Sequence, residues 1–135
     1  MAKTDVGART DLYPLPTALV SCEDDSGSRS IITISWTGIC CSAPPMLSIA
    51  VRKNRFSYNI IKNSGKFGLN LPNSDQVALM DYCGNNSGKD VDKFEKCGFT
   101  PVTGEKIGAL LLEECPLSIE CDVKQVIELG SHDLF

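Results

Sequence analysis

Apolar and polar residues alternate along much of this chain, and the breaks in that alternation carry turn residues. Pro14-Leu15-Pro16 leads into a first strand expected over Thr17–Glu23. Asp24-Asp25-Ser26-Gly27-Ser28-Arg29 has the composition of a turn. Ile31–Trp36 is then a strand with two faces: Ile32, Ile34 and Trp36 on one, Ile31, Thr33 and Ser35 on the other. Thr37-Gly38 is expected to end it. Ala43-Pro44-Pro45 bends the chain, and Met46–Arg52 forms a third strand.

A helix is predicted over Arg55–Asn63, stopped by Ser64-Gly65. In the strand that follows, Phe67, Leu69 and Leu71 face one way, with Gly68 and Asn70 on the polar side, until Pro72 closes it. Ser74 is placed to cap a second helix ending near Cys83-Gly84. Ser87 with Asp90 fits a capping box opening a third helix that Cys97-Gly98 ends. Lys106–Leu112 and Leu117–Leu129 are expected strands. In the latter, Leu117, Ile119, Cys121 and Val123 alternate with Ser118, Glu120, Asp122 and Lys124, the cleanest half-buried pattern in the sequence. Strands separated by short helices, without a regular βαβ rhythm, indicate an α+β, mainly β barrel rather than a doubly wound sheet.

Composition narrows the function classes. The 135 residues are enough for one domain with its own core. A net charge of -4 argues against a general nucleic-acid binder. No apolar run is long enough to span a bilayer, and the N-terminus lacks a signal-peptide core. The seven cysteines are odd in number, irregularly spaced and form no Cys-x-x-Cys, so neither a disulfide framework nor a zinc site is expected. Most of them read as small core residues, in a protein of a reducing cytoplasm. No metal cluster, Rossmann glycine motif or Walker loop is present.

One stretch carries candidate chemistry. Ser87-Gly88-Lys89 at an expected helix start combines a hydroxyl, a glycine and a cation where an anion can dock, or it is an ordinary capped surface helix. Arg55 with Ser57, at the start of the first helix, is a second candidate cradle. Arg52, Lys53 and Arg55 equally describe a basic surface. Lys93 reads as a surface residue of its helix, and Asn70 as exposed polar strand or a ligand contact.

Thr33-Ile34-Ser35-Trp36-Thr37-Gly38, Pro44-Pro45-Met46-Leu47, Arg52-Lys53-Asn54-Arg55-Phe56-Ser57-Tyr58, Gly65-Lys66-Phe67-Gly68-Leu69-Asn70, Ser87 through Phe94 and Leu129-Gly130-Ser131-His132-Asp133 occur in this order. The ordered set resembles the flavin reductase-like, FMN-binding split-barrel family, near its flavoredoxin branch. The resemblance, from about Pro14 to Phe135, implies a Greek-key split barrel with short helices. It further implies a homodimer holding FMN noncovalently, with electrons taken from NADH or NADPH or exchanged with a redox partner protein. Under it, Thr33, Ser35, Thr37 and Gly38 serve the ring edge, and Trp36 is a ring wall or a core residue. Arg52, Lys53, Arg55, Ser57, Ser87, Gly88 and Lys89 serve the phosphate side, and Asn70 the ribityl chain or ring. His132, in a Gly-Ser-His where related reductases often carry Gly-Asp-His, lies toward the nicotinamide. No side-chain acid or base is required, because flavin chemistry belongs to the cofactor. Family members continue through further strands, so residues 1–135 are expected to be a single domain truncated at its C-terminus.

Overall fold

The first strand, β1 (Ala18–Glu23), is buried from Ala18 to Cys22, on both of its faces. The rest of the fold explains this. The computed structural model describes all residues from Met1 to Phe135. After β1 come β2 (Arg29–Ile34), β3 (Thr37–Ser42), β4 (Pro45–Arg52), α1 (Phe56–Ser64), β5 (Lys66–Leu71), a 3-10 turn at Ser74–Gln76 and α2 (Val77–Asn85). Then follow α3 (Lys93–Cys97), β6 (Pro101–Thr103), β7 (Leu110–Leu112), β8 (Leu117–Asp122), β9 (Ile127–Glu128) and β10 (His132–Leu134).

All strand pairs are antiparallel. One four-stranded sheet has the order β2-β1-β5-β8, a second β3-β4-β10-β9, and β6-β7 is a separate hairpin. Alternation along β1 and β2 feeds two cores. Val20, Ile32 and Ile34 join Ile49 and Val51 of β4 and Tyr58, Ile60 and Ile61 of α1. Leu19 and Ile31, pointing the other way, pack on Cys83, Phe94, Phe99, Leu110 and Leu112. The helices α2 and α3 and strand β7 therefore cover the sheet face that a half-buried reading leaves in water. No helix is long and apolar enough to cross a membrane.

Several elements differ from expectation. Thr37-Gly38 does not stop the chain. It begins β3, which pairs with β4 and carries a bulge between Ile39 and Cys41. Asn73, not Ser74, caps the second helical segment through a reciprocal capping box with Gln76, and Gly84 lies inside α2. The third helix starts at Asp92, whose carboxylate accepts from Phe94 N at 2.9 Å and Glu95 N at 3.3 Å. Ser87 instead closes a local turn, its Oγ accepting from Lys89 N at 3.2 Å. Of the expected Leu117–Leu129 strand, β8 ends at Asp122 and β9 is separate. Leu117 and Ile119 are exposed. Of the cysteines only Cys22, Cys83 and Cys115 are buried.

Candidate functional site

Arg52-Lys53-Asn54-Arg55 carries the chain from β4 into α1, and Arg55 N bonds back to Arg52 O at 3.0 Å. Arg55 is the N-cap of α1, with extended backbone and no side-chain acceptor for the first-turn N–H groups. The first turn holds no acidic residue. A helix start carries partial positive charge, so an uncapped one ringed by cations is an arrangement an anion completes. Arg52, Arg55 and Lys89 form no ion pair within the chain.

Arg55 borders three cavities. A groove of about 450 Å³ runs between Lys53–Phe56 and Asn59 on one side and Ser87 and Lys89 on the other. Asp24, the carboxylate on its rim, accepts through Oδ1 from the N–H groups of Ser26 and Ser28. A recess of about 120 Å³ is lined by Ser30, Asn54, Arg55, Ser57, Gly88 and Lys93, among others. A third cavity, about 170 Å³, lies among Ile32–Trp36, Ala50–Arg52, Arg55 and His132. The two candidate anion cradles, separate in sequence, thus face each other across Arg55.

Gly88 belongs there for steric reasons. A Cβ on it would stand 2.5 Å from Ser30 Oγ and 2.8 Å from Phe56 Cδ1. Ser30 Oγ is buried and has no hydrogen-bond partner, an uncompensated polar atom at the edge of the recess. Lys93, read from the sequence as a surface residue, is only 4% exposed. Its Nζ donates to Ile31 O at 2.8 Å and Cys83 O at 2.6 Å, bracing β2 against α2 at the back of the recess. Burial lowers its pKa from the ordinary lysine value. Ser30 and Lys93 are the residues sequence reading missed. A lysine following an N-cap and preceding Phe94 looks solvated, and only the fold buries it.

The ring-sized side is built around Trp36. Its indole is not a core residue: β2 ends at Ile34, and Trp36 is 42% exposed. The ring lies 4.7 Å from that of His132, tilted by 35°. Register explains the pair, since His132 of β10 stands opposite Arg52 of β4, whose Ala50 N bonds Trp36 O at 3.0 Å. Burial, then Arg52 and Arg55, holds the His132 pKa below the usual imidazole value. Ser131 Oγ sits 2.8 Å from His132 Nδ1. On the other side of Trp36, a cavity of about 540 Å³ is bounded by Arg9–Leu12, Leu15, Ser35, Thr37, Gly38 and Ser48. Nothing lies within 4 Å of the Cβ position of Gly38, so its backbone is open to that space.

Four of the expected contact residues have partners within the protein, and three of them, Thr33, Lys53 and Ser57, also line these cavities. Asn70 is fully buried, and its side chain is spent: Nδ2 donates to Leu19 O and Ser21 Oγ, and Oδ1 accepts from Leu112 N and Ser118 Oγ. It has no capacity left for a ligand. Thr33 donates its hydroxyl to Met80 O at 2.6 Å and ties β2 to α2. Ser57 is 2% exposed and its carbonyl receives the Cys22 thiol, so it packs against β1. Lys53 is engaged elsewhere, with Nζ 3.3 Å from Asp133 Oδ1 and 3.9 Å from Glu128 Oε2. Ser35, Trp36, Thr37, Gly38, Arg52, Arg55, Ser87, Gly88, Lys89 and His132 likewise line these cavities, which adjoin through shared residues such as Arg55 and Trp36.

Two open four-stranded sheets that share one of the two cores, with a cationic helix start between the cavity beside Trp36 and the Ser87–Lys89 groove, make up a split-barrel fold of the flavin reductase-like type. The family model described as "Flavin reductase like domain" matches residues 9–135, and the chain belongs to that family. The structure of flavoredoxin of Desulfovibrio vulgaris (Miyazaki F) is 37% identical, with a TM-score of 0.89 over 98% of this chain and 72% of that one. Flavoredoxin from Methanosarcina acetivorans is 30% identical, with a TM-score of 0.91 over 100% and 71%. An uncharacterized protein of Archaeoglobus fulgidus is 30% identical over 92% of this chain and 69% of its own length. The chain spans 47% of the length of an uncharacterized protein of Aeropyrum pernix that is 29% identical to it.

Proposed function

We propose that this chain binds FMN with its phosphate in the Arg55–Lys89 groove and its ring in the Trp36–His132 region, and works as an oxidoreductase reduced by NADH or NADPH. The observation that carries this reading is the shared position of Arg55 between the groove and the cavity beside Trp36 and His132. Bound FMN would supply a ring able to accept a hydride or single electrons. Arg55 and Lys89 supply charge-assisted donors, the first turn of α1 supplies unpaired N–H groups, and Gly88 admits close backbone approach. Arg52 and Arg55 place positive charge beside the ring, which favours electron uptake there. Burial and the nearby guanidiniums favour the neutral form of His132, which with the tilted Trp36 ring borders the space where a planar donor would lie. The bound form is a homodimer. Leu71 and Leu117, cross-strand partners on β5 and β8, are exposed together with Ile119 and leave an apolar patch for a second copy.

The 37% identity to a flavoredoxin supports a second reading, in which a protein donor replaces the pyridine nucleotide. An absorption spectrum followed by anaerobic mixing separates these. Flavin absorbance that bleaches with NADH or NADPH is the expected result. A colourless protein that takes up no added FMN overturns both readings, and bleaching only by a protein donor favours the second.

A further inference from the structure

Cys83 Sγ and Cys97 Sγ lie 3.7 Å apart, the one contact between thiols in the chain. Cys83 is on α2 and buried; Cys97 is the last residue of α3 and half-buried, with Gly98 behind it in the left-handed conformation. The other thiols point elsewhere: Cys22 toward Ser30 O, Cys40 toward Gly38 O, Cys121 toward Ile119 O. The segment between Cys83 and Cys97 carries Ser87, Gly88 and Lys89, and it is already pinned once, by Lys93 Nζ on Cys83 O. Forming a bond of about 2 Å from this contact asks the two sulfurs to close by roughly 1.7 Å, a movement their side chains can share.

We propose that Cys83 and Cys97 are an oxidation site, a dithiol that hydrogen peroxide converts to a disulfide tying α2 to α3 and closing the loop that carries Ser87, Gly88 and Lys89. Cys97, the more exposed sulfur, reacts first. As thiolate it attacks one peroxide oxygen and becomes a sulfenic acid, and the displaced hydroxide takes up the thiol proton as water. The Cys83 sulfur then bonds to the Cys97 sulfur, and the sulfenic oxygen leaves with the Cys83 proton as a second water. Two thiols are oxidised and one peroxide is reduced. Burial, and after it the neighbouring Cys97, pushes the Cys83 thiol up to about 12, which disfavours first attack by Cys83; its contact with Cys97 Sγ is what places it to resolve the sulfenic acid.

The cross-link is independent of what the groove binds, and its test does not use flavin. Full-length protein, reduced and then treated with a small excess of hydrogen peroxide, is alkylated and digested with trypsin. Cleavage after Lys66, Lys89, Lys96 and Lys106 leaves Cys83 alone in peptide 67–89 and Cys97 alone in peptide 97–106. The expected product is these two peptides joined, lighter than their sum by two hydrogens, lost on reduction and absent from Cys97→Ser. Cys97 ending as sulfinic or sulfonic acid while Cys83 remains alkylatable overturns the proposal. So does a digest in which both stay alkylatable under peroxide that oxidises the exposed Cys40. The wild-type digest decides by itself if the serine variant folds poorly.

Discussion

Tyr58 Oη donates a 2.6 Å hydrogen bond to Asp133, a carboxylate with no exposed surface, and so fastens α1 to β10. The bond holds the helix that presents Arg55 against the strand that presents His132. The Tyr58 bond first, and Lys53 after it, keep the Asp133 carboxyl below its usual pKa of 3.8. The folded chain therefore binds fewer protons at this group than the unfolded chain. Its contribution is complete above the ordinary value and is lost as pH falls through the folded one. Asp133→Asn is expected to melt several degrees below wild type at pH 7, with the gap narrowing toward pH 3. Thermal denaturation of both proteins across that range checks it.

Asn70→Ala should cost about 3 kcal/mol, because it strands buried partners on β1, β7 and β8. Flavin affinity of the folded fraction should stay within about twofold, since no donor or acceptor of Asn70 is free. Urea titration with and without FMN measures both. A large affinity loss in fully folded variant would return Asn70 to the ligand site.

Lys89→Ala should weaken FMN about tenfold while leaving riboflavin nearly unchanged, the scale of one lost charge-assisted bond, and Arg55→Ala should weaken FMN more than riboflavin. Gly88→Ala should do the same by pushing the loop off Ser30 and Phe56. Fluorescence titration with the two flavins separates phosphate contact from general damage, which would lower both affinities equally.

His132 should titrate below 6.5 in the ligand-free protein, since burial and the nearby guanidiniums disfavour its charged form. Its folded pKa lies below its unfolded one, so protonation lowers stability as pH drops below 6.5. Arg52→Gln should move the imidazole back toward 6.5, and an anion bound at Arg55 should do so as well. NMR titration of this single histidine, with and without inorganic phosphate, tests both shifts.

Strand existence was largely legible, because apolar runs and period-two alternation are local: β1, β2, β4 and β5 fall close to where the pattern puts them, and β8 takes the first part of its expected span. The same alternation cannot say what covers each face. Asn70 and Gly68 read as the wet side of β5, yet β7 lies on them so closely that a Cβ at Gly68 would stand 2.1 Å from Leu110 O. That contact joins residues far apart in sequence. β3 was hidden because Thr37-Gly38 has turn composition and Ile39-Cys40-Cys41 has no alternation. Ser87 imitated a helix cap, whereas the helix waits for Asp92, whose carboxylate binds two backbone N–H groups and also pairs with Arg29 at 3.2 Å. The cationic site residues Arg52, Arg55 and Lys89 were legible because they recur with glycine and serine in an ordered pattern. Lys93 and Ser30 were not, because their role comes from burial.

The two-sided burial of β1 governs how the chain comes apart. Val20 belongs to one core and Leu19 to the other, so neither can melt while the strand keeps its register. The halves are expected to unfold in one cooperative step, and the amides of β1 should be the last to exchange with deuterated solvent, at a rate set by global opening.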